Sequence, residues 1–268
     1  MILENAEIVW NRPLGGSYRH MGIRTGAEFD TAVPGQFVMV KVGQGLAPLL
    51  RRPFSIHRLT EKGSGIEGIE LLYKVVGPTT VKMDGLRPGD TISVLGPLGR
   101  GFTVPPGGRS VALAGGGIGI APLVFLASHL IKNGIDPERI RVFLGGRSAR
   151  DLLCADEFRK MGFRVYTTTD DGSAGEKGLV TRPLENSARA REVEMVYACG
   201  PMGMLKGIFA IAEKYKVACQ VSIETIMACG MGACMGCAVK SERSPDENHL
   251  HACLDGPVFD SGQIILEH

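Results

Sequence analysis

Four cysteines near the end of the chain constrain it more than any other feature: Cys229-x4-Cys234-x2-Cys237, followed by Cys253 beyond a polar stretch. Thiolates at this spacing hold 2Fe–2S clusters. Gly230, Gly232 and Gly236 let such a loop fold closely around a cluster and turn backbone N–H groups toward its sulfurs. Met227, Met231 and Met235 either shield the site from water or simply fill core space. Four thiolates also satisfy tetrahedral zinc, although zinc ribbons commonly use paired C-x2-C knuckles, so both metals stay open at this point. His249 and His251 stand beside Cys253 as alternate ligands, but their Ser, Pro, Asp, Glu and Asn neighbours read as an exposed loop. The other cysteines, Cys154, Cys199 and Cys219, sit in apolar stretches and read as small buried residues, with Cys199 the one to weigh further.

The rest of the chain is large enough to surround such a site. It has 268 residues, 44% hydrophobic and 22% charged, which gives a sizeable core and two domains or two plus an appendage. Lys+Arg 30 against Asp+Glu 28 leaves +2 with no clustered basic face, so nucleic acid is a poor partner. Glu4 and Glu7 stand where a secretory leader carries basic residues, and no apolar run approaches the ~20 residues of a membrane span. A soluble cytoplasmic chain is the expectation, and in that compartment seven cysteines point to metal rather than disulfides.

The first third holds short β-type runs between Gly and Pro: 36–42, 69–76 and 91–95, a spacing that predicts an antiparallel barrel or sandwich. After Pro105-Pro106-Gly107-Gly108 the pattern changes. Strands at 111–114, 140–144, 163–168 and 195–198 alternate with helices near 121–131, 152–161 and 202–215, which predicts a parallel sheet with crossovers. The expected units are 1–104, 105–220 and 221–268.

Two turns in the α/β half carry chemistry. Gly116-Gly117-Ile118-Gly119-Ile120-Ala121-Pro122 follows a buried strand and lets backbone amides approach a pyrophosphate, with Pro122 suited to a first helical turn. It departs from the G-x-G-x-x-G fingerprint, and the second strand ends in Gly145-Gly146-Arg147-Ser148 rather than an acidic residue, so a purely structural turn reads equally well. Its partner is Cys199-Gly200-Pro201-Met202, again after a buried strand, where nucleotides bind in such sheets. In the β half, Arg51-Arg52-Pro53-Phe54-Ser55 offers a phosphate partner, a stacking ring and a hydroxyl, or else is an exposed basic turn.

In this order the motifs resemble the ferredoxin-NADP reductase superfamily, a flavin-binding β-barrel followed by a pyridine-nucleotide domain. Adding the cysteine block and Cys253-Leu254-Asp255-Gly256-Pro257-Val258-Phe259, the whole chain resembles the electron-transfer subunits of class 1B dihydroorotate dehydrogenases. That resemblance implies FAD at Arg52, Pro53, Phe54 and Ser55, then at Leu72, Tyr73 and Lys74. A usual Gly-Thr flavin contact aligns with Thr79-Thr80, where the glycine is missing. It implies NAD(H) at Gly116, Gly117, Gly119, Cys199, Gly200 and Pro201, with Cys199 near the nicotinamide, and the cluster on Cys229, Cys234, Cys237 and Cys253. The three units then become a FAD-binding barrel, a NAD-binding α/β domain and a small 2Fe–2S subdomain. The implied partner is an FMN-containing catalytic subunit oxidising dihydroorotate to orotate for pyrimidine biosynthesis, in a heterotetramer with two copies of each chain. Flavin chemistry fits this order, since hydride arrives as an electron pair and a cluster takes electrons singly; no general acid or base is needed here. Two other readings stand beside it. One is a subunit of an NADPH-dependent ferredoxin or sulfide dehydrogenase, with Arg147, Ser148 and Arg150 on a 2′-phosphate. The other is a zinc-stabilised scaffold without redox activity.

Overall fold

The structure is a computed structural model that describes residues 1–43, 45, 47–63, 65–104, 109–242 and 249–266. Strands β1 (Ile2–Gly15), β2 (Tyr18–Arg24), β3 (Phe37–Lys41), β4 (Arg52–Lys62), β5 (Gly65–Lys74) and β6 (Thr91–Leu98) close into an antiparallel barrel in the order β1-β2-β5-β4-β3-β6. One short helix, α1 (Pro78–Asp84), precedes the last strand. The interior is filled by alternating inward residues such as Ile8, Ile23, Val38, Val40, Ile56, Ile69 and Val94, β-branched side chains that suit a pleated, half-buried surface. The three strands expected from sequence are β3, β5 and β6. Arg52–Ser55 opens β4 and is not the exposed basic turn that stood as the alternative: Phe54 and Ser55 are bonded in register to Val38 and Phe37 of β3.

The second layer system is a seven-stranded sheet flanked by helices. Along the chain run β7 (Val111–Gly116), α2 (Ala121–Lys132), β8 (Ile140–Gly146), α3 (Ala155–Lys160), β9 (Arg164–Thr169), β10 (Glu176–Lys177), α4 (Thr181–Arg189), β11 (Met195–Cys199), α5 (Met202–Tyr215) and β12 (Ala218–Ser222). The hairpin β13 (Ala238–Lys240) and β14 (His249–His251) follows, then β15 (Val258–Asp260). The sheet order is β10-β9-β8-β7-β11-β12-β15, parallel except for β15 on β12. Every residue of β7 is buried, as a strand covered on both faces requires. From β7 the chain winds one way to β8 and β9 and the other way to β11 and β12, so the order reverses at β7, where open sheets of this type bind ligands. The helix expected at 152–161 is shorter: Cys154 takes a left-handed φ of +59°, which stops α3 from extending toward the 3-10 turn Ala149–Asp151.

The expected division at residue 220 falls inside β12, and β15 returns the C-terminal segment to the main sheet, where Ile223 N–H donates to Pro257 O. The expected boundary between 104 and 105 adjoins residues 105–108, which lie outside the described residues. Barrel and sheet share a seam: Phe125 of α2 packs into the barrel core, and His57 of β4 bonds to the Ala121 carbonyl. Among the described residues no helix is long and apolar enough to cross a membrane.

Candidate functional site

A cleft of about 510 Å³ runs between barrel and sheet, within the range of cofactor pockets. The barrel contributes all nine of its sequence-predicted residues, Arg52, Pro53, Phe54, Ser55, Leu72, Tyr73, Lys74, Thr79 and Thr80. Strand pairing explains their convergence, because the start of β4 and the end of β5 emerge at the same rim of the barrel. The rings of Phe54 and Tyr73 meet edge to face at 6.2 Å, and Tyr73 is held by an O–H bond to Asn11 Oδ1 at 3.0 Å. The two arginines separate by role. Arg51 donates to the Ser93 carbonyl and hydroxyl at 3.1 and 3.0 Å and so ties itself to β6, whereas the exposed Arg52 guanidinium is the one on the cleft. Thr80 Oγ1 accepts from the Val76 and Gly77 N–H groups at 2.9 and 3.0 Å and donates to Gly77 O, so its hydroxyl is committed to capping α1. The glycine missing at 79 has a counterpart at Gly77, the cap residue of α1 and itself part of the cleft lining.

The sheet side supplies Gly119 and Cys199 to the same cleft, but Gly116, Gly117, Gly200 and Pro201 are not among its lining residues. These four form interlocked turns at the carboxyl ends of β7 and β11. A Cβ on Gly119 would stand 2.5 Å from Cys199 O and 2.7 Å from Gly200 Cα, so only glycine permits the contact. Burial, with Glu224 nearby, pushes the Cys199 thiol up to about 12 and keeps it protonated. Ser148, offered from sequence for a phosphate, instead caps its own turn through Asp151. Acidic residues do stand nearby: Asp170 N–H donates to Gly146 O and Asp171 N–H to Arg147 O, at the carboxyl ends of β8 and β9.

Sequence reasoning missed the third wall of the cleft, made by Ser222, Ile223, Glu224, Thr225, Met227 and Pro257. The available signal was position, since Ser222 ends β12 and 223–227 continue directly past its carboxyl end. Glu224 is accessible from the cleft yet surrounded by protein, which raises its carboxyl above the usual range.

Past Met227 the chain enters the cysteine loop, which packs on the barrel: a Cβ on Gly230 would meet Met39 Cγ of β3 at 2.4 Å. Cys237 and Cys253 are buried with their sulfurs 3.2 Å apart, Cys229 is half-buried and Cys234 exposed. Backbone N–H groups point at sulfur as the glycines suggested. Gly232 N–H donates to Cys253 Sγ at 3.2 Å, and Met231 and Cys234 N–H donate to Cys229 Sγ at 3.5 and 3.4 Å. Burial raises Cys229, but these donors outweigh it and bring the thiol down to about 7; Cys253, buried against Cys237, is pushed up to about 12. Gly230 and Gly232 have φ of +72° and +81°, conformations a side chain resists, whereas Gly236 has neither a positive φ nor a close neighbour. Met227 is core, and Met231 and Met235 are exposed, so neither of the latter fills core space. His249 and His251 lie on β14, paired to β13, because backbone pairing overrides their polar surroundings.

The thiols form two pairs rather than one group. Among the described residues, no three of them occur in a set whose donor atoms all lie within 4.8 Å of one another. A single zinc with Zn–S of about 2.3 Å would draw all four to within about 4 Å of each other. Two pairs, with N–H groups aimed at sulfur, suit a cluster of two irons.

Comparison with known proteins agrees with this arrangement. Residues 224–265 match the model of the iron-sulfur cluster binding domain of dihydroorotate dehydrogenase B, and residues 113–209 that of the oxidoreductase NAD-binding domain. The electron transfer subunit of dihydroorotate dehydrogenase B (NAD(+)) of Desulforamulus reducens is 44% identical over 246 residues, 90% of this chain and 92% of that one. The chain belongs to the family of dihydroorotate dehydrogenase B electron transfer subunits. The member from a Geobacillus species is 36% identical over 265 residues, 98% of either chain. An NADH-dependent reduced ferredoxin-NADP oxidoreductase structure, described for flavin-based electron bifurcation, superposes with a TM-score of 0.84 at 32% identity, covering 97% of this chain and 90% of that one. A ferredoxin reductase of carbazole 1,9a-dioxygenase shares the fold, with a TM-score of 0.66 at 22% identity over 80% of this chain and 65% of that one. Membership of this family makes the chain an electron-transfer subunit of an NAD-dependent oxidoreductase, with an iron–sulfur segment and a flavin-reductase fold.

Proposed function

We propose that the chain relays electrons between NAD(H), an FAD in the 510 Å³ cleft and a 2Fe–2S cluster on Cys229, Cys234, Cys237 and Cys253, and exchanges them with the FMN-containing subunit that converts dihydroorotate to orotate. The observation that carries this reading is continuity: Met227 lines the cleft, and two residues later Cys229 opens the cluster loop. When bound, FAD would supply the conversion between electron pairs and single electrons. The protein positions the groups. Arg52 offers charge to a phosphate, Phe54 a ring backed by the buried Tyr73, and Ser55 a hydroxyl; the Gly119–Cys199 contact sets the floor on which a nicotinamide would lie. Cys199 and Glu224, both protonation-shifted by enclosure, shape this floor without acting as proton donors in a hydride transfer.

The units 1–104, 105–220 and 221–268 are assigned to FAD, NAD and cluster binding, with β12 shared between the last two. Electrons leave where the cluster loop meets an apolar surface: a groove of about 570 Å³ beside Cys229 is lined by Met1, Leu3, Leu49, Leu50 and Met231, all exposed. Such a patch suits the catalytic partner, in a cytoplasmic heterotetramer of two copies of each chain.

Anaerobic absorption titration of the purified protein tests the relay. NADH is expected to bleach both flavin and iron–sulfur bands; persistence of either band overturns it. NADPH is the competing donor if the chain serves a ferredoxin or sulfide dehydrogenase. Asp170 and Asp171, beside Arg147 at the strand ends, favour a ribose hydroxyl over a 2′-phosphate, so NADPH is expected to react at least tenfold more slowly.

A further inference from the structure

A second cavity, of about 670 Å³, opens on the seam between barrel and sheet, and Leu72 forms part of its wall as well as part of the flavin cleft. His20, His57 and Arg58 face it from β2 and β4, and Cys154, Glu157 and Lys160 from the start and body of α3. The electron path uses none of these side chains. Two sets of metal-ligating residues meet there, His57–Cys154–Glu157 and His20–His57–Glu70, and within each set one donor atom per residue lies within 4.8 Å of the others. His57 belongs to both.

Three features distinguish this cluster from an ordinary polar seam. His57 is 1% exposed, and its Nδ1 stands 2.9 Å from the Ala121 carbonyl oxygen, to which it donates; the tautomer leaves a lone pair on Nε2. A ring N–H given to a backbone carbonyl is the usual outer support of a metal-bound imidazole. Cys154 holds φ +59° at the start of α3 and makes no side-chain capping bond. A residue with a Cβ resists this conformation, so the position is held by packing around it, with the side chain against the core of the α/β unit. The carboxylates have partners, Arg58 at Glu157 and His20 at Glu70 (2.7 Å), each engaged through one oxygen, which leaves the other for an ion.

We propose that His57, Cys154 and Glu157 bind one Zn²⁺ ion, with the His20–Glu70 pair adjoining it, and that this ion staples the barrel to the α/β unit. Mixed thiolate, imidazole and carboxylate donors select zinc over calcium or magnesium. On binding, the Cys154 thiol releases its proton to solvent as the Zn–S bond forms, bound water leaves the ion, and no electron moves. The ion ties β4 to α3 behind the wall of the cleft, so it rigidifies the seam rather than entering the redox chain.

The test uses the full chain carrying FAD and its cluster, stripped with a chelator, titrated with micromolar Zn²⁺ and desalted. Elemental analysis is expected to find one zinc per chain in addition to cluster iron. Zinc-edge X-ray absorption is expected to show a single sulfur with nitrogen and oxygen neighbours, and the melting temperature to rise. Cys154→Ser is expected to lower zinc affinity at least tenfold while leaving iron content and NADH bleaching of the flavin unchanged. No retained zinc, or a shell of four sulfurs that marks ions on the cluster cysteines, overturns the proposal. So does undiminished zinc affinity in Cys154→Ser. The wild-type measurements decide even if that variant does not fold, and they are independent of whether the electron relay is correct.

Discussion

The cluster loop and the flavin cleft are built in opposite ways. Three of the four thiols lie within residues 229–237 and the fourth on the segment that closes back over them, so most of that site is one short stretch of backbone. The cleft instead draws on β4, β5, the start of α1, the turn after β7, the end of β11 and the segment after β12, which no local sequence brings together. A local site fails when a ligand or a turn is lost; a composite site fails when the packing between its walls shifts.

Changes at single residues separate these modes. Cys253→Ser should have the largest effect: cluster affinity is expected to fall by more than the roughly 10- to 100-fold that loss of an outer partner costs, seen as loss of the iron–sulfur absorption, while flavin binding and its reduction by NADH persist. Loss of the flavin as well would show that the two sites are not separable. Gly119→Ala attacks the composite site. Its Cβ would press on Cys199 O and Gly200 Cα, backbone atoms with little room to move, so denaturation should report a loss of about 1–3 kcal/mol and the purified protein should retain less flavin. Gly232→Ala forces a side chain into φ +81° and against Leu254, a cost of about 1–2 kcal/mol. By disturbing the N–H donated to Cys253 it should also lower the cluster potential in a redox titration followed by electron paramagnetic resonance, with flavin absorbance unchanged.

The smallest effect is expected across the barrel–sheet seam. Tyr18 O–H donates to Asp151 Oδ1 at 2.6 Å, and Lys74 stands 4.0 Å from the same oxygen. Burial raises the Asp151 carboxyl, but these contacts and the Ser148 N–H outweigh it and hold it below its ordinary 3.8. A carboxyl depressed by folding contributes stability above its unfolded value and loses it as pH falls through the folded one. Tyr18→Phe should therefore cost about 1 kcal/mol near neutral pH, and its stability curve should converge with the wild type below pH 3.8.

Much of the proposed cluster site was legible because its chemistry is sequential: the spacing of Cys229, Cys234 and Cys237 is the spacing a 2Fe–2S cluster would need, and Gly232 was recognisable as a residue that turns an N–H toward sulfur. The cleft was legible only in pieces. Arg52–Ser55 and the 116–122 turn drew attention by their composition, yet Arg51 and Arg52 are indistinguishable until the barrel sends one to Ser93 and the other to the cleft. Glu224 and Thr225 carried no motif, and they become wall residues because β12 ends beside β11. The short α3 was hidden for a similar reason, since the left-handed Cys154 is fixed by its surroundings and not by helix propensity.

Taken alone, the sequence determined the two-period organisation, strands then alternating strands and helices, together with the cysteine spacing, because hydrophobic periodicity and ligand spacing act between near neighbours along the chain. Tertiary structure decided which glycines touch the cleft and which only let turns interlock, and which arginine faces the cleft and which is tied to β6. These are distances between residues far apart in sequence, set by how the barrel closes and by where the parallel sheet reverses its order.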